Sequence, residues 1–339
     1  MSCQMYELAP IRKLSEVDYA RADTFGDRAC SLSRLMARGY HVPKGIVIST
    51  KVFKRYLNTA PGTKRIDQLI EQVSPATINE TAQEIQDLIN FSPVPMQMAN
   101  QIANAITSLL ENSPSQALIV RTSANVEGSS RHVCSGRGVH FNMNDISQII
   151  RVVKNCWASA YTADVLKDLI NVGLAPDSVW VAVIIEKMVQ ANISGIMYVE
   201  KGNKEEKIHI EANWGAQVHH SEDGIFPDHV IIDPSETKIG EPIETFNAYK
   251  RKISHISPEN HQLEIIENDP AKRNVLSLDQ AKISTLVQLA KKIHDDFEVG
   301  YMIEFVFDET DTLWLLDAVP LSVHKNLHKI GQSSMVKTT

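Results

Sequence analysis

The chain has 339 residues, which exceeds the usual size of a domain built on a single hydrophobic core. Two lobes are therefore expected. Hydrophobic residues make up 43% and charged residues 22%, which excludes a disordered, collagen-like or coiled-coil chain. With 34 Lys and Arg against 41 Asp and Glu, the formal charge of −7 excludes the broad basic surface of a nucleic-acid-binding protein. A local basic pocket for a small anion stays open.

The cysteines and apolar runs indicate a soluble protein of a reducing compartment. Four widely spaced cysteines form no CxxC pair, which is more typical of reduced thiols than of disulfides or a zinc site: Cys3, Cys30, Cys134 and Cys156. The longest apolar run, Val179–Ile185, is far shorter than the ~20 residues of a membrane helix. The N-terminal residues hold no long apolar stretch, so we expect a cytoplasmic protein without a signal peptide.

Helices and short strands follow one another along the chain and predict a mixed α+β fold. The first half predicts helices over 26–40, 51–57, 66–90 and 95–111, with strands over 45–50 and 117–121. The second half predicts helices over 146–170 and 278–297, with strands over 179–188, 195–200, 207–212, 230–233, 301–307 and 313–316. Residues 234–277 are polar, with hairpin-like pieces such as 262–266, and predict an irregular surface excursion.

The last two strands predict a hairpin that brings two carboxylates together. Its turn is Asp308-Glu309-Thr310-Asp311, and a tip near residues 309–310 places Glu304 close to Asp317, where both could share one sheet face. Neighbouring carboxylates repel one another unless a cation or proton lies between them. Mg²⁺ typically combines one or two carboxylates with nucleotide phosphates. On spacing alone, two solvated carboxylates at a sheet edge are the alternative.

A second candidate site begins at Arg121, which ends an apolar strand and opens a loop rich in Ser and Gly. A planar guanidinium suits phosphate oxygens. The glycines of Cys134-Ser135-Gly136-Arg137-Gly138 allow backbone N–H groups to approach an anion. The loop matches neither GxxxxGK[ST] nor GxGxxG, so an ordinary hairpin turn is the alternative.

Histidines form a weaker candidate site. His219 and His220 adjoin each other near His209 and His229, and neutral imidazole is a common metal ligand. No cysteine or carboxylate has the spacing of a zinc-site partner, so the pattern favours solvated loop histidines.

A series of short motifs occurs in the order found in one protein family. The N-terminal motifs are Gly26–Leu32 for G-G-K-[GN]-A-S-L, Val42–Thr50 for V-P-x-G-F-V-I-T-T, and Val120–Ala124 with Glu127 for V-R-S-S-A-x-x-E. The later motifs are Cys134–Gly136 for F-A-G, Lys187–Val189 for Q-[KR]-M-V, Ser194–Met197 for S-G-V-M-F, Glu211–Gly215 with Pro227-Asp228 for E-A-x-W-G and P-D, Ile303–Phe305 for I-E-W, and Leu315–Pro320 for I-L-Q-A-R-P. Over roughly residues 10–322 the chain resembles the nucleotide-binding domain of pyruvate phosphate dikinase, phosphoenolpyruvate synthase and rifampin phosphotransferase.

The resemblance implies an ATP-grasp-like fold of two lobes with the nucleotide between them. It implies that Arg121 and Arg28 hold the nucleotide phosphates and serve catalysis, and that Glu304 and Asp317 bind Mg²⁺, in agreement with the hairpin argument. The other cofactor-binding residues implied are Ser135, Gly136 and His140 of the glycine loop and Glu186, Met188 and Val189 of an adenine hinge. Phosphoryl transfer needs little more, because it is mostly positioning and charge neutralisation.

Several positions depart from the family pattern. Arg28 replaces a lysine, which keeps the charge but changes the geometry. Asp317 replaces a glutamine and adds a negative charge at the metal, while Val319 replaces an arginine, so one cation near the transferred phosphates is missing. His140 replaces a threonine, and Gln217-Val218 replace the G-E that follows W-G-L. ATP binding is therefore a firmer expectation than catalysis at family-like rates.

The expected organisation is an N-terminal part over 1–190, with the phosphate-binding arginine and glycine loop, a C-terminal part over 191–325, with the metal-binding hairpin, and a tail over 326–339. The histidine domain and pyruvate-binding barrel of the dikinases have no counterpart in these 339 residues. Phosphorylation of pyruvate by this chain alone is therefore not expected.

The leading functional hypothesis is an ATP-dependent phosphotransferase. It would pass a phosphoryl group from Mg-ATP to a small-molecule acceptor or to a histidine on a separate phosphohistidine-domain protein. The alternatives are a ligase acting through an acyl phosphate and a catalytically weak, ATP-binding regulatory subunit, which the missing arginine at Val319 suggests. Neither a nucleic acid nor a membrane is an expected partner.

Overall fold

The computed structural model of the chain describes residues 10–59, 63–111, 117–125, 146–171, 173–200, 207–216, 225–233, 242, 244–257 and 263–321. The chain divides into two compact units. The first contains the residues up to Ala37 and Lys44–Met188, and the second contains Arg38–Pro43 and the residues from Val189 onward. No sequence pattern indicated that Arg38–Pro43 joins the second unit. The domain limits expected from the sequence stay predictions.

The first unit combines a small antiparallel sheet with helices. Its strands are β1 (Ile11–Lys13), β2 (Gly45–Ile48), β3 (Leu118–Ala124) and β4 (Val181–Lys187). Its helices are α1 (Ala22–Phe25), α2 (Asp27–Ala37), α3 (Thr50–Thr59), α4 (Thr63–Glu71), α5 (Ile78–Phe91), α6 (Met96–Leu110), α7 (Ile146–Ala158) and α8 (Ala163–Asn171). The strand order is β1-β2-β4-β3, so β4 lies between β2 and β3.

Two long helices predicted in this unit are interrupted. The helix expected over 66–90 is two helices, α4 and α5, with a break that contains Ser74-Pro75. Proline lacks a backbone N–H and disfavours helical geometry in the residue before it, which explains the break. The helix expected over 146–170 is divided into α7 and α8 by a 3₁₀ turn at Ser159–Tyr161. The other predicted elements of this unit are present with shifted ends.

The central strand β4 has two different faces. Val183 and Ile185 belong to a large apolar cluster with the helices, in which the Trp157 ring stacks on Phe53 with centroids 5.4 Å apart. Successive side chains of a strand point to opposite faces, so Glu186 lies on the face away from this cluster. The helical cluster therefore supports one face of the sheet, while Glu186 lies on the other face beside the buried Ala182 and Ile184.

The second unit is built on a six-stranded antiparallel sheet. Its strands are β5 (Ala191–Val199), β6 (Ile208–Trp214), β7 (Asp228–Ile232), β8 (Glu244–Phe246), β9 (Lys252–Ile256), β10 (Leu263–Glu267), β11 (Tyr301–Asp308) and β12 (Leu313–Pro320). The order in the large sheet is β12-β11-β5-β6-β7-β8, while β9 pairs with β10. One long helix, α9 (Gln280–Asp296), packs against β5. The predicted mixed α+β class is confirmed.

The large sheet has one apolar face and a more polar face, on which polar and apolar residues mix. The apolar face holds alternate buried residues of the central strands, among them Ile193, Met197, Ile303 and Phe305. The residues between them, such as Ile196 and Glu304, pair across β5 and β11 on the opposite face. Among the described residues, the helices of both units are too short or too polar to cross a membrane.

The region over 234–277, expected to be an irregular surface excursion, supplies Lys250 to a fully buried ion pair with Asp228 of β7. Lys250 and Asp228 are 0% and 1% exposed, and Lys250 Nζ lies 2.5 Å from Asp228 Oδ1. Asn247 Oδ1 and the Ala248 carbonyl also accept from Lys250 Nζ, and Asp228 Oδ2 accepts from the N–H and hydroxyl of Ser277. The ion pair thus ties β7 to the residues that precede β9 and α9, a role that the hydrophilic sequence concealed.

A single glycine governs how α2 meets β3 in the first unit. Gly26 has φ 77° and ψ 163°, a region nearly restricted to glycine. A Cβ added to Gly26 would lie 2.1 Å from the Ser123 carbonyl oxygen. The absence of a side chain therefore allows the start of α2 to lie directly against β3.

We expect Lys250→Met to lower the free energy of unfolding by about 3–5 kcal/mol, because Asp228 would be left buried without its cation. Lys167→Met is the matched control, since the Lys167–Asp164 pair spans 3.8 Å between side chains that are 47% and 77% exposed. Its cost should stay below about 1 kcal/mol. Denaturant unfolding measures both, and equal effects would contradict the structural role of the buried pair.

We expect Gly26→Ala to destabilise the chain far more than Gly39→Ala. Gly39 also has φ 77° but nothing lies within 4 Å of an added Cβ, so its substitution carries only the backbone cost of about 1–2 kcal/mol. Gly26→Ala adds the collision with Ser123, which we expect to cost a further ~1–3 kcal/mol. Thermal and denaturant unfolding of the two variants give the comparison, and similar losses would show that close packing at Gly26 is unimportant.

Candidate functional site

Two predicted phosphate-binding residues lie at neighbouring positions in the first unit. Arg28, in the first turn of α2, donates from Nη1 to the carbonyl oxygen of Thr122, 2.8 Å away. Thr122 follows Arg121 on β3, and the backbone N–H of Ala29 donates to Ser123 Oγ at 3.0 Å. The approach of α2 that Gly26 permits therefore brings Arg28 to the part of β3 that carries Arg121.

Arg121 faces a buried carboxylate. Its Nη1 lies 3.8 Å from Oε2 of Glu186, and the two side chains are 17% and 4% exposed. Arg121 pairs with Ile184, two residues before Glu186 on β4, so both charged side chains lie on one face of the sheet. The structure thus brings two predicted site residues together, and they form an ion pair with each other.

The predicted adenine hinge begins as an ordinary part of this sheet. The backbone N–H of Lys187 donates to the Lys44 carbonyl and that of Met188 to the Ala117 carbonyl, both at 2.8 Å. The Met188 side chain is buried. Val189 is the first residue of the second unit after this point in the chain. The role of these residues in holding adenine stays a prediction.

In the second unit, the predicted hairpin forms with the expected turn and the expected pairing. Glu304 on β11 is the direct cross-strand partner of Asp317 on β12, with an irregularity in the register immediately after Glu304. Directly opposed residues share a face, with their Cβ atoms about 4.5–5.5 Å apart. Asp317 is 2% exposed, and its Oδ1 accepts from the backbone N–H of Ala318 at 2.9 Å.

Asp308 fixes the end of this hairpin. Its Oδ1 accepts from the N–H and hydroxyl of Thr310 and from the N–H of Thr312, while Oδ2 accepts from Trp314 Nε1 at 2.8 Å. Burial alone would raise the pKa of Asp308, but these hydrogen bonds together lower it. The ionised carboxylate therefore stabilises the turn that sets the register of Glu304 and Asp317.

The carboxylate pair belongs to a row that crosses the polar face of the sheet. Glu304 pairs with Ile196 on β5, which pairs with Glu211 on β6, which pairs with His229 on β7. His229 Nδ1 lies 3.4 Å from Glu211 Oε1. Sequence reasoning assigned no role to Glu211 and read His229 as a loop residue. The alternation of polar and apolar residues in β6 and β7 was the available signal.

The pKa of Tyr198 is raised in part by the negative charges on this face. This tyrosine lies on β5, two residues from Ile196, and burial raises its pKa to about 12, helped by the charges of Glu211 and Glu304. Among the described residues, no group of three or more His, Cys, Asp or Glu side chains is arranged to hold a metal ion. Beside the Glu304–Asp317 pair, the described part of the chain thus offers no third side chain of these types for a cation.

Three predicted site residues of the glycine loop lie outside the described residues and stay predictions: Ser135, Gly136 and His140. His219 and His220, expected to be solvated loop histidines, also lie outside the described residues. The described candidate residues thus form two clusters, one within each unit. The first unit presents Arg28, Arg121 and Glu186, and the second presents an acidic row that includes Glu304 and Asp317.

Curated relatives are similar over most of this chain. A phosphoenolpyruvate synthase of Aeropyrum pernix is 24% identical over 91% of this chain and 42% of its own length. A rifampicin phosphotransferase of a Streptomyces species is 25% identical over 91% of this chain and 35% of its own. The prodigiosin synthesizing transferase PigC of Serratia marcescens is 23% identical over 88% and 31%. The chain spans less than half the length of these relatives.

Similarity to solved structures is more distant. A C-terminally truncated Cdc123 from Schizosaccharomyces pombe is 11% identical with a TM-score of 0.40, covering 91% of this chain and 89% of that one. A D-alanine-D-alanine ligase from Coxiella burnetii is 9% identical with a TM-score of 0.32, covering 91% and 52%.

The family comparison covers nearly the whole chain. Residues 22–338 match the family described as pyruvate phosphate dikinase, AMP/ATP-binding domain. The mixed α+β architecture and the ordered motifs agree with this match. The chain therefore belongs to the family of pyruvate phosphate dikinase AMP/ATP-binding domains.

Proposed function

We propose that this chain binds Mg-ATP and transfers a phosphoryl group to a small-molecule acceptor or to a histidine of a separate protein. The observation that carries the proposal is the direct pairing of Glu304 with Asp317. The family match to an AMP/ATP-binding domain supports the nucleotide, and the printed names of relatives, a rifampicin phosphotransferase among them, support group transfer.

The residues at the hairpin fit Mg²⁺. Two opposed carboxylates repel each other, and a divalent cation between them removes the repulsion. Mg²⁺ prefers oxygen ligands and keeps several waters or phosphate oxygens beside one or two carboxylates, and this pair supplies two carboxylates. When bound, Mg²⁺ would neutralise negative charge on the nucleotide phosphates and orient them.

Arg28 and Arg121 would hold the phosphates. Arg28 is already fixed by its hydrogen bond to the Thr122 carbonyl, so less side-chain freedom would be lost on binding. Arg121 presents a planar fork of donors that can bind two phosphate oxygens at once. Cationic groups placed in advance stabilise the charge that develops during phosphoryl transfer.

A catalytically weak ATP-binding subunit is the second candidate, and Val319 favours it. Val319 pairs with Met302, two residues from Glu304, so it lies on the same face as the carboxylate pair. An arginine stands at this position in the family pattern that the chain resembles. A valine there supplies no charge to a transferred phosphate, which would lower the rate while leaving the carboxylates in place.

Isothermal titration with Mg-ATP tests the main proposal. We expect saturable binding, weakened about tenfold or more by Glu304→Gln and by Asp317→Asn, because each removes a negative ligand of the cation. Glu309→Gln, at the exposed hairpin tip, is the matched control and should bind like the native chain. Absence of binding at millimolar ATP would refute the proposal, and unchanged affinity in both variants would remove the pair from the metal site.

Val319→Arg tests the second candidate. We expect Val319→Arg to raise nucleotide turnover at least about tenfold, since a single arginine can stabilise the transition state of phosphoryl transfer strongly. The measurement is the rate of ADP and AMP formation from ATP, by chromatography, with Val319→Met as an uncharged control of comparable bulk. Equal rates in the two variants would show that the missing cation does not limit this chain.

A further inference from the structure

We infer that Glu186 is a positioning residue that sets how strongly Arg121 can hold the phosphates of a bound nucleotide. The inference rests on the proposed function and refines it. Sequence resemblance assigned Glu186 to an adenine hinge, but its carboxylate faces Arg121 at 3.8 Å. In the structure this side chain meets the phosphate-binding arginine.

The sheet fixes the two side chains relative to each other. Glu186 on β4 pairs with Gly45 on one side and with Ile119 on the other. Arg121 lies two residues beyond Ile119 on the same strand and therefore on the same face, diagonal to Glu186. Because β4 is held between β2 and β3, neither backbone can move away without breaking the sheet.

Close packing also holds the Glu186 side chain. A Cβ added to Gly45 would lie 2.8 Å from Glu186 Cγ. The absence of a side chain at Gly45 therefore leaves space for the methylene groups of Glu186. The Glu186 side chain is only 4% exposed. A carboxylate removed from water in this way needs a cation and hydrogen bonds, and Arg121 is a cation that the structure places beside it.

Phosphate and Glu186 would therefore compete for the same guanidinium. A phosphate that binds Arg121 must share its charge with a fixed carboxylate or draw it away and leave Glu186 less well compensated. Both outcomes weaken the contact relative to an uncharged residue at position 186. The pair would thus lower affinity for phosphate-bearing ligands without affecting a ligand that has no phosphate.

The test compares ATP with adenosine in the native chain and in Glu186→Gln, which keeps the shape of the side chain and removes its charge. We expect Glu186→Gln to lower the Kd for Mg-ATP roughly three- to tenfold and to leave the Kd for adenosine unchanged. Glu84→Gln is the matched control, because Glu84 forms an exposed ion pair with Arg65 in the same unit, and it should change neither constant. Should Glu186→Gln unfold, Glu186→Met offers a similar length without charge.

A double-mutant cycle with Arg121→Gln shows whether the effect passes through the arginine. In the Arg121→Gln background, we expect Glu186→Gln to leave the Kd for Mg-ATP nearly unchanged. An equal gain for ATP and adenosine would place Glu186 at the adenine instead, and an undiminished gain without Arg121 would also overturn the inference. If the native chain binds adenosine and ATP but Glu186→Gln changes neither, the inference fails while the proposed function stands. If the native chain binds no ATP, both fail.

Discussion

Repulsion between Glu304 and Asp317 is the constraint that gives the second unit its chemical character. Ile303 and Phe305 lie on the buried, apolar face of the large sheet. Because side chains alternate between the two faces of a strand, Glu304 lies on the opposite face. The hydrogen bonds of Asp308 then set the turn that holds Asp317 across from it. Two carboxylates at directly opposed positions repel each other unless a cation or a proton compensates them.

The first unit, by contrast, brings positive charge together. Arg28 reaches β3 because Gly26 allows α2 to approach the strand. Its guanidinium donates to the carbonyl oxygen of Thr122, the residue after Arg121. Glu186 offsets part of this charge. In the role inferred above, the carboxylate would orient Arg121 and weaken its attraction for phosphate.

Local sequence patterns predicted some of these features and missed others for physical reasons. The Glu304–Asp317 pairing follows from a four-residue turn, since a short hairpin leaves few registers. Glu211 and His229 lie far upstream in the sequence, and only the strand order of the sheet brings them into the same row as Glu304, across Ile196. The helical periodicity of apolar residues predicted one helix where the structure has α4 and α5, although Pro75 indicated a break between them.

Buried charge was the hardest feature to predict. Lys250 and Glu186 both look like solvent-exposed residues when judged by type, since lysine and glutamate are almost never fully buried unless paired. Lys250 can be buried because Asp228, which lies well before it in the sequence, supplies its counter-charge. Glu186 is buried because a glycine on the neighbouring strand leaves it room. In both cases the deciding residue is distant in sequence.

The two departures on the hairpin act in the same electrostatic direction. Relative to the family pattern, aspartate for glutamine at Asp317 adds a negative charge, and valine for arginine at Val319 removes a positive one. Since both positions lie on the face that carries Glu304, that face is more negative by two charges. Such a face would hold a divalent cation more tightly and an anionic phosphate less well, unless the cation screens it. We therefore expect nucleotide binding here to depend more strongly on the metal than the family pattern alone implies.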